Sequence, residues 1–242
     1  MKRLAGVLFA LSAAGAAQAG DKAPKQPFEV TTTERVSFLA GGTIRIDNMY
    51  GYLTVEGWDE PEVEMVITKS TSHFSEPGRK EDAARAFEQI RVVAERSSDK
   101  ELTISTALPD RHGFPYSVLP SRRIIFTMPK KTTLRVTVDC TVHVPRDSRL
   151  AVHQDHGYVW VSDVAGDIEV DSHTGDMIVL LPDPGPYSID ARTRLGTVSS
   201  DIAGSGHKQS LFGTHFVHAS QAPARRIRLR MGRGSITIKS RQ

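Results

Sequence analysis

The sequence predicts an all-β fold, built from short strands that repeat and stack on one another. Three observations support this: side chains alternate between apolar and polar along much of the chain, glycines recur at nine-residue intervals, and a proline–turn–strand unit repeats. Alternation with a period of two is typical of strands that bury one face. Short strand–turn units cannot bury such a face alone, so they must stack on their neighbours. The sequence leaves open whether the body is solenoid-like or a meandering antiparallel sandwich.

Glycines mark the repeat at a spacing of nine residues, from Gly42 to Gly51 and again from Gly157 through Gly166 to Gly175. Apolar side chains stand two and four positions after Gly51 and after the last three of these glycines. Asp or Asn residues often precede them. Because glycine adopts positive φ angles and Asp and Asn side chains bond to turn backbone, the spacing predicts turns between strands.

A proline-centred unit forms a second repeat, in which residues 128–136 match residues 144–152 at a shift of 16. A third copy begins at Pro182. Each copy consists of a proline, a polar turn and a new alternating strand. Since proline cannot donate a hydrogen bond to a sheet, we expect it where a strand ends.

The N-terminus is predicted to be a signal peptide over residues 1–19. Two bases precede an apolar run of 14 residues, and Ala17-Gln18-Ala19 gives a small-residue cleavage site before Gly20. We therefore expect cleavage near Ala19/Gly20 and a periplasmic or extracellular protein, with residues 20–27 as a flexible leader. The apolar run is too short to span a bilayer, and no transmembrane segment is expected after cleavage.

Residues 28–242 are predicted to form a single all-β repeat domain, because no linker-like stretch divides them. Residues 79–89 break the alternation with strong helix formers, so we expect one short helix there, inside a loop-and-helix insertion over 74–89. Glycine and two prolines predict a long loop over 110–123. The lone cysteine, Cys140, alternates with apolar neighbours, so it is expected in the core and excludes a disulfide scaffold.

The positive charge of the chain is concentrated in one short stretch. The formal net charge is +3 and the sequence pI is about 9.0, but removal of residues 1–19 takes away two bases and leaves +1. Residues 225–241 hold seven bases and no acid, so the rest of the mature chain carries −6. An exported protein with this charge is not expected to bind nucleic acid.

Arginines in this stretch form the first candidate site. Alternation places Arg226, Arg228 and Arg230 on one face of a strand, with Arg233 beyond them. These four arginines are candidates for binding an anionic partner: acidic lipid headgroups, lipopolysaccharide or the acidic surface of the protein itself. The competing interpretation is a solvated strand face, or an edge strand that its charges protect from aggregation.

Aromatic residues form the second candidate site. Tyr52 follows Gly51 as Tyr158 follows Gly157, and Trp160 lies two positions further on. If the intervening valine faces the core, Tyr158 and Trp160 share the opposite face. They are interpreted either as a surface for a ligand or as packing beneath a loop.

Catalytic and metal-binding patterns are weak by comparison. The pairs His153–His156 and His215–His218 are each three positions apart, which puts their members on opposite faces of a strand, so they are interpreted as exposed turn histidines. No metal and no cofactor is expected, and turn chemistry explains the aspartates better than a calcium ladder does. No catalytic motif is present, and among 28 acids no Asp/Glu pair stands out.

Residues 144–182 resemble the bacterial toastrack family, an adhesin-like domain family of unknown function. The resemblance rests on a Val-Pro-basic turn followed by Gly-Asp-hydrophobic strands at 166–170 and 175–177, and on a terminal strand at 234–238. It extends over residues 40–240 and implies an extracytoplasmic stack of β-strands with envelope-associated or sensing roles. It implies no catalytic residues.

We therefore expect a non-enzymatic, exported envelope protein, an adhesin-like scaffold or binding module, with a role in envelope stress as one form of this function. Its partner would be an anionic envelope component or another envelope protein. The alternative is a carbohydrate-active enzyme on a β-helical body that uses an Asp/Glu pair.

Overall fold

The computed structural model describes most of the chain after the expected signal peptide and leader. The described residues are 28–71, 79–107, 116–119, 123–127, 133–182, 186–208, 212–220 and 225–241. The signal peptide predicted over 1–19 and the leader predicted over 20–27 lie outside them.

Within these residues the chain forms 15 strands and one helix, which confirms the predicted all-β class and the predicted short helix. The elements in chain order are β1 (Phe28–Ser37), β2 (Thr43–Trp58), β3 (Glu62–Thr71), α1 (Arg79–Gln89), β4 (Arg91–Ser98), β5 (Glu101–Ala107), β6 (Tyr116–Leu119), β7 (Arg123–Thr127), β8 (Thr133–Pro145), β9 (Arg149–Ser162), β10 (Ile168–Leu181), β11 (Tyr187–Leu195), β12 (Val198–Ser200), β13 (Ser205–Lys208), β14 (Thr214–His218) and β15 (Arg225–Ser240).

The long loop predicted over 110–123 is wrong for the residues that form β6. Pro115 and Pro120 bracket this four-residue run and favour a loop, but its sequence alternates and it pairs antiparallel with β7. The other residues of the predicted loop that precede β7, and residues 74–78 of the predicted insertion, lie outside the described residues.

Five long strands run parallel at the centre of the sheet, in the order β2–β9–β10–β15–β11. Next to β2, β5 pairs with its first half and β8 with its second half, also in parallel. Antiparallel strands follow on both sides: β3 and β1 beyond β8, and β14 and β13 beyond β11. The parallel series corresponds to the solenoid-like alternative and not to an antiparallel sandwich.

The central strands bend at glycines that lie side by side, which we call the glycine column. Gly51, Gly157, Gly175 and Gly234 are paired in register, with φ angles of 107°, 140°, 143° and 134°. Gly196, just after β11, has a φ of 139° and continues the column. A Cβ on Gly175 would lie 1.7 Å from the carbonyl oxygen of Gly157, and one on Gly234 would lie 1.6 Å from that of Gly175. Only glycine satisfies both the backbone angle and this spacing.

The glycines with nine-residue spacing therefore lie in turn at bends inside strands and in connections between strands. Gly51, Gly157 and Gly175 lie inside strands, so the turns predicted at these positions are wrong. Gly42 and Gly166 lie in the connections before β2 and β10, as predicted. A positive φ bends these strands without ending them, because each neighbouring strand bends at the same height.

The bend also shifts the alternation of buried side chains. In β10, Val170 and Ser172 are buried before the bend, and Met177 and Val179 are buried after it. The spacing of five between Ser172 and Met177 is odd, whereas an unbent strand keeps an even spacing on one face. The same shift occurs in β2, β9 and β15. It keeps both halves of each strand facing the core.

Two further predictions from the sequence are confirmed. Pro145 is the last residue of β8, and Pro182 directly follows β10. Cys140 is buried in β8, where burial and the nearby charge of Asp139 raise the pKa of its thiol to about 12. The prolines therefore mark strand ends, and the cysteine is part of the core.

The helix packs on the core and is anchored by a lysine of β3. Ala83, Ala86 and Phe87 of α1 are buried. The Nζ of Lys69 donates hydrogen bonds to the carbonyl oxygens of Phe87 (2.7 Å) and Ile90 (2.6 Å) at the helix C-terminus. Burial lowers the pKa of Lys69. The ammonium group thus supplies a cation that the last turn of α1 does not contain.

Replacement of a glycine in the column tests its structural role. Gly175→Ala is expected to lower the free energy of unfolding by about 3 kcal/mol or more, because it adds an unfavourable φ and a clash with the backbone of β9. Urea unfolding followed by circular dichroism measures the effect.

Gly206→Ala is the matched control, since an added Cβ there has no atom within 4 Å. It should change stability by less than about 0.5 kcal/mol. Equal stability of the Gly175→Ala variant and the unmodified protein would contradict the role of the column.

Candidate functional site

The glycine column divides the outer surface of the parallel sheet into two faces. We call the outward side chains before the bend the first face, and those after the bend the second face. Residues paired across neighbouring strands form a register row. One such row of the first face contains Asp47, His153, Asp171, Arg230 and Arg192. One register row of the second face contains Asp139, Tyr52, Tyr158, Asp176 and Ser235. The two rows already differ in chemistry, charged on one face and aromatic and acidic on the other.

Arg226, Arg228 and Arg230, which we call the arginine stripe, lie on the first face as predicted. Each of the three meets a carboxylate across the sheet. The nitrogen–oxygen distances are 3.6 Å for Arg226–Asp167, 3.4 Å for Arg228–Glu169 and 2.6 Å for Arg230–Asp190. The backbone N–H of Arg226 also donates to Asp167 (2.9 Å). The protein's own carboxylates, one of the anionic partners considered from the sequence, therefore contact all three arginines.

The position of β15 corrects one interpretation of the stripe. This strand lies between β10 and β11, so the prediction of an edge strand protected by its charges is wrong. Arg233 does not join the other three arginines, because it lies in the bend next to Gly234, where the alternation shifts. Its side chain is exposed.

Asp190 is the centre of the most tightly connected charge cluster on the first face. Its carboxylate accepts hydrogen bonds from Arg230 (2.6 Å) and Arg192 (3.1 Å) and lies 2.8 Å from Nε2 of His215. Burial alone would raise the pKa of Asp190, but the hydrogen bonds from Arg230 and His215 and the charges of Arg230 and Arg192 lower it to about 2. Arg230 is thus a structural partner of β11 and not a free cation.

The three predicted aromatic residues come together on the second face. The rings of Tyr52 and Tyr158 stack with centroids 5.0 Å apart and an interplanar angle of 22°. Trp160 lies in the next register row, between Thr54 and Ile178. Tyr52 is 43% exposed and Trp160 is 37% exposed. A groove of about 500 Å³ runs between the rows, and we call it the aromatic groove; its lining is Tyr52, Leu53, Thr54, Glu56, Tyr158, Val159, Trp160 and Ile178.

Three carboxylates lie on the second face in or near the aromatic groove. Glu56 lines it, and none of its described lining residues is basic. Asp139 is the register neighbour of Tyr52, and Asp176 that of Tyr158. Burial, together with the charge of Glu29, raises the pKa of Asp139, and its buried Oδ1 has no hydrogen-bond partner in the described structure. Of these carboxylates only Glu56 lines the groove, and its carboxylate lies 3.5 Å from Nε2 of His143.

The histidines lie in strands, so their prediction as turn residues is wrong. His153 and His156 belong to β9, and His215 and His218 belong to β14. His156 stacks on Tyr50 with ring centroids 5.5 Å apart. Gly157, directly after His156, has the positive φ that a turn would also require, although it lies within a strand. In the part of the chain that the structure describes, no three His, Cys, Asp or Glu side chains are grouped to hold a metal ion.

The sequence alone does not identify residues whose role depends on a neighbour in another strand. Asp190 and His215 are 25 positions apart and meet only because β11 pairs with β14. Asp139 is a neighbour of Tyr52 only because β8 pairs with β2. The alternation of Val138, Asp139 and Cys140 does indicate an outward carboxylate, but not its neighbour.

Among known proteins, this chain is similar to several solved structures. No protein-family model and no curated protein matches the chain. A candidate cell adhesion protein from Clostridium sporogenes is 11% identical, with 88% of this chain and 100% of that chain covered and a TM-score of 0.47. A candidate adhesin from Bacteroides fragilis is 11% identical, with 88% and 97% covered and a TM-score of 0.30. A candidate adhesin from Parabacteroides distasonis is 10% identical, with 63% and 58% covered and a TM-score of 0.28.

Acid titration tests the charge cluster around Asp190. Asp190→Asn is expected to lower stability near neutral pH, because Arg230 and Arg192 lose their charged partner. A carboxyl whose pKa is lowered by folding stabilises the fold at pH values above its pKa in the unfolded chain, which is about 4. This contribution is lost as the pH falls through about 2. Urea unfolding midpoints of the variant and the unmodified protein should therefore differ near neutral pH and converge between about pH 4 and 2.

Asp147→Asn is the control, since Asp147 is exposed in the turn after β8. Its unfolding midpoint should follow that of the unmodified protein throughout. A difference for Asp190→Asn that persists unchanged in acid would contradict the assignment.

Proposed function

We propose that this protein is a non-enzymatic, exported binding module of the adhesin-like kind, and that the aromatic groove is its ligand surface. One observation carries the proposal. Exposed aromatic side chains line a groove on the second face, whereas the arginines of the first face are already paired with carboxylates. Grooves lined by aromatic and apolar side chains with a few polar groups are the usual form of ligand sites.

The groove stands on a rigid support. Tyr52 belongs to β2, and Tyr158 and Trp160 belong to β9; these two strands pair in parallel along most of their length. The glycine column fixes their relative height because Gly51 and Gly157 are in direct backbone contact. Side chains on such strands keep their positions before a ligand arrives, which reduces the entropy lost on binding.

Export to the periplasm or the cell surface is part of the proposal. It rests on the signal peptide expected over residues 1–19. No helix among the described residues is long and apolar enough to cross a membrane. The partner we propose is a component of the cell envelope that the second face can contact. The arginine stripe supports an anionic envelope component less well, because the carboxylates of Asp167 and Glu169 already lie 3.6 and 3.4 Å from its arginines.

One observation keeps a carbohydrate-active enzyme as the second candidate. Asp167 and Glu169 are two positions apart on the first face, and both line a groove with Arg149, Arg226 and Arg228. Same-face positions along a strand are about 7 Å apart, which is within the range of glycosidase carboxylate pairs. Both carboxylates are in ion pairs with arginine, so their spacing alone does not define a catalytic pair.

Binding to envelope glycans tests the first proposal. Trp160→Ala is expected to weaken binding to peptidoglycan sacculi, or to the strongest ligand on a glycan array, by about 10-fold or more, because it removes a central aromatic contact. Phe212→Ala is the matched control, since Phe212 is another exposed aromatic residue (67%) and lies outside the groove. It should leave binding unchanged. Circular dichroism confirms that both variants are folded.

Two outcomes would contradict the proposal. Undiminished binding by Trp160→Ala, with loss of lipopolysaccharide binding by Arg228→Glu, would place the site on the arginine stripe. Release of reducing sugar from the bound glycan, abolished by Glu169→Gln, would establish the enzyme instead.

A further inference from the structure

The first strand of the chain lies at one edge of the sheet. β1 pairs with β3 along all of its residues in an uninterrupted antiparallel register, and no strand among the described residues pairs with its other side. Residues 29–35 are exposed, so both faces of β1 contact solvent over most of its length. Hydrogen bonds along one side, and not burial, therefore hold the middle of this strand in place.

The outer side of β1 presents a regular row of backbone groups. The N–H of Phe38, directly after β1, donates to the carbonyl oxygen of Pro61, directly before β3 (3.0 Å). Because backbone groups alternate in direction along an antiparallel strand, the even-numbered residues of β1 bond to β3 and the odd-numbered residues direct their N–H and C=O groups outward. The hydroxyls of Thr31 and Thr68 lie 3.0 Å apart, as expected for opposite residues that do not share backbone hydrogen bonds.

β1 lacks the features that protect the other edges of the described sheet from pairing. β4 also has one partner strand, but a register shift between Arg96 and Ser98 interrupts it. The edge strands β6, β12 and β13 have three or four residues each. Bulges and short length keep edge strands from pairing with other chains. The exposed part of β1 instead contains Val30 and the threonines at 31–33, which favour pairing in sheets.

The sequence of β1 is complementary to itself when two copies run antiparallel. Residues directly opposite in such a pair point to the same face, so a twofold axis must pass through a residue. An axis at Thr32 places Thr31 opposite Thr33 and Glu29 opposite Arg35. Threonine pairs and pairs of opposite charge both stabilise antiparallel strands. An axis at Thr31 or at Thr33 gives no pair of opposite charges.

We propose that two copies of this chain pair through β1, antiparallel about Thr32, so that one sheet continues across the dimer. The outward backbone groups fit this arrangement. Thr31 of each copy exchanges two hydrogen bonds with Thr33 of the other, and Glu29 does the same with Arg35. The interface is isologous, the kind that closes a twofold dimer.

Arg35 is the residue of this interface that already has partners. Its guanidinium contacts Glu62 (3.0 Å) and Glu64 (2.6 Å) of β3, but its side chain is 59% exposed. Glu29 of the second copy therefore joins an existing cluster and adds little affinity. The charge pair selects the register, and the backbone hydrogen bonds hold the two copies together.

The dimer goes beyond the proposed function, because the aromatic groove belongs to β2, β9 and β10 and takes no part in it. Each dimer carries two such grooves. Two sites on one particle bind a repetitive ligand more tightly than either site alone, provided that both can reach it.

A cysteine placed on the axis tests the register. Thr32 and its copy form a pair without backbone hydrogen bonds, with Cα atoms about 4.5 Å apart, which permits a disulfide. Thr32→Cys is therefore expected to give a covalent dimer in oxidised glutathione, seen by non-reducing electrophoresis. The native Cys140 is buried and should not cross-link.

Glu34→Cys is the matched control for cross-linking. Position 34 lies on the same strand and the same face, but in this register it lies about 13 Å along the strand from its own copy. It should remain largely free of disulfide under the same conditions.

Sedimentation equilibrium tests the association without an added cysteine. The unmodified protein should show a monomer–dimer equilibrium over about a 100-fold range of concentration. Thr33→Pro should raise the Kd at least about 10-fold, because proline removes an outward N–H and leaves the hydrogen bonds to β3 intact. Ser37→Pro removes an outward N–H beyond the paired residues 28–36, so it should leave the Kd unchanged.

Three results would overturn the dimer. They are a protein that stays monomeric at every concentration, equal cross-linking of Thr32→Cys and Glu34→Cys, and a Kd that Thr33→Pro does not change. Circular dichroism checks that the variants fold, and cross-linking decides the question if Thr33→Pro does not. Glycan binding by the Trp160→Ala variant is a separate measurement, so the proposed function can stand or fail independently.

Discussion

The fold depends on the close contact between glycines of neighbouring strands. Each carbonyl of the column occupies the place where the next strand would carry a Cβ, as between Gly157 and Gly175. Such contact forces each strand to bend at the same height as its neighbours, and it requires a φ that other residues avoid. The shift in buried positions follows from the bend, because five residues separate Ser172 from Met177. One local constraint, repeated in register, thus sets both the shape of the sheet and which side chains reach its surface.

Buried polar side chains just before the bend satisfy the backbone there. Asn48 donates to Gln154 (2.8 Å) and accepts from Thr106 (2.8 Å). Gln154 in turn donates to the carbonyl oxygens of His156 (2.9 Å) and Gly51 (3.3 Å). A bend in a buried ladder leaves carbonyl groups without their ordinary partners, and these amides replace them. The column is therefore stabilised by side chains that the alternation pattern alone would assign to the apolar core.

The sequence predicts the strands well and the surface only in part. Alternation identifies β9 and β10, and it places Tyr158 and Trp160 outward, because both follow from a local period of two. The same reasoning mistakes Gly157 for a turn, since a bend and a turn have the same local requirement for positive φ. It also does not identify the partners of the arginines. Arg228 meets Glu169 only through the parallel register of β15 with β10. Long-range pairing, unlike periodicity, is not contained in any short window of residues.

The two faces differ in how their charges affect stability. Arg226, Arg228 and Arg230 on the first face each meet a carboxylate, and ion pairs between neighbouring strands help to hold them in register. Asp139 on the second face is the opposite case, because burial favours its neutral form and its buried Oδ1 has no hydrogen-bond partner in the described structure. A carboxylate in this environment destabilises the folded protein near neutral pH, and removing its charge would relieve that cost. Asp139 is the register neighbour of Tyr52, so this cost to stability arises beside an exposed aromatic side chain of the second face.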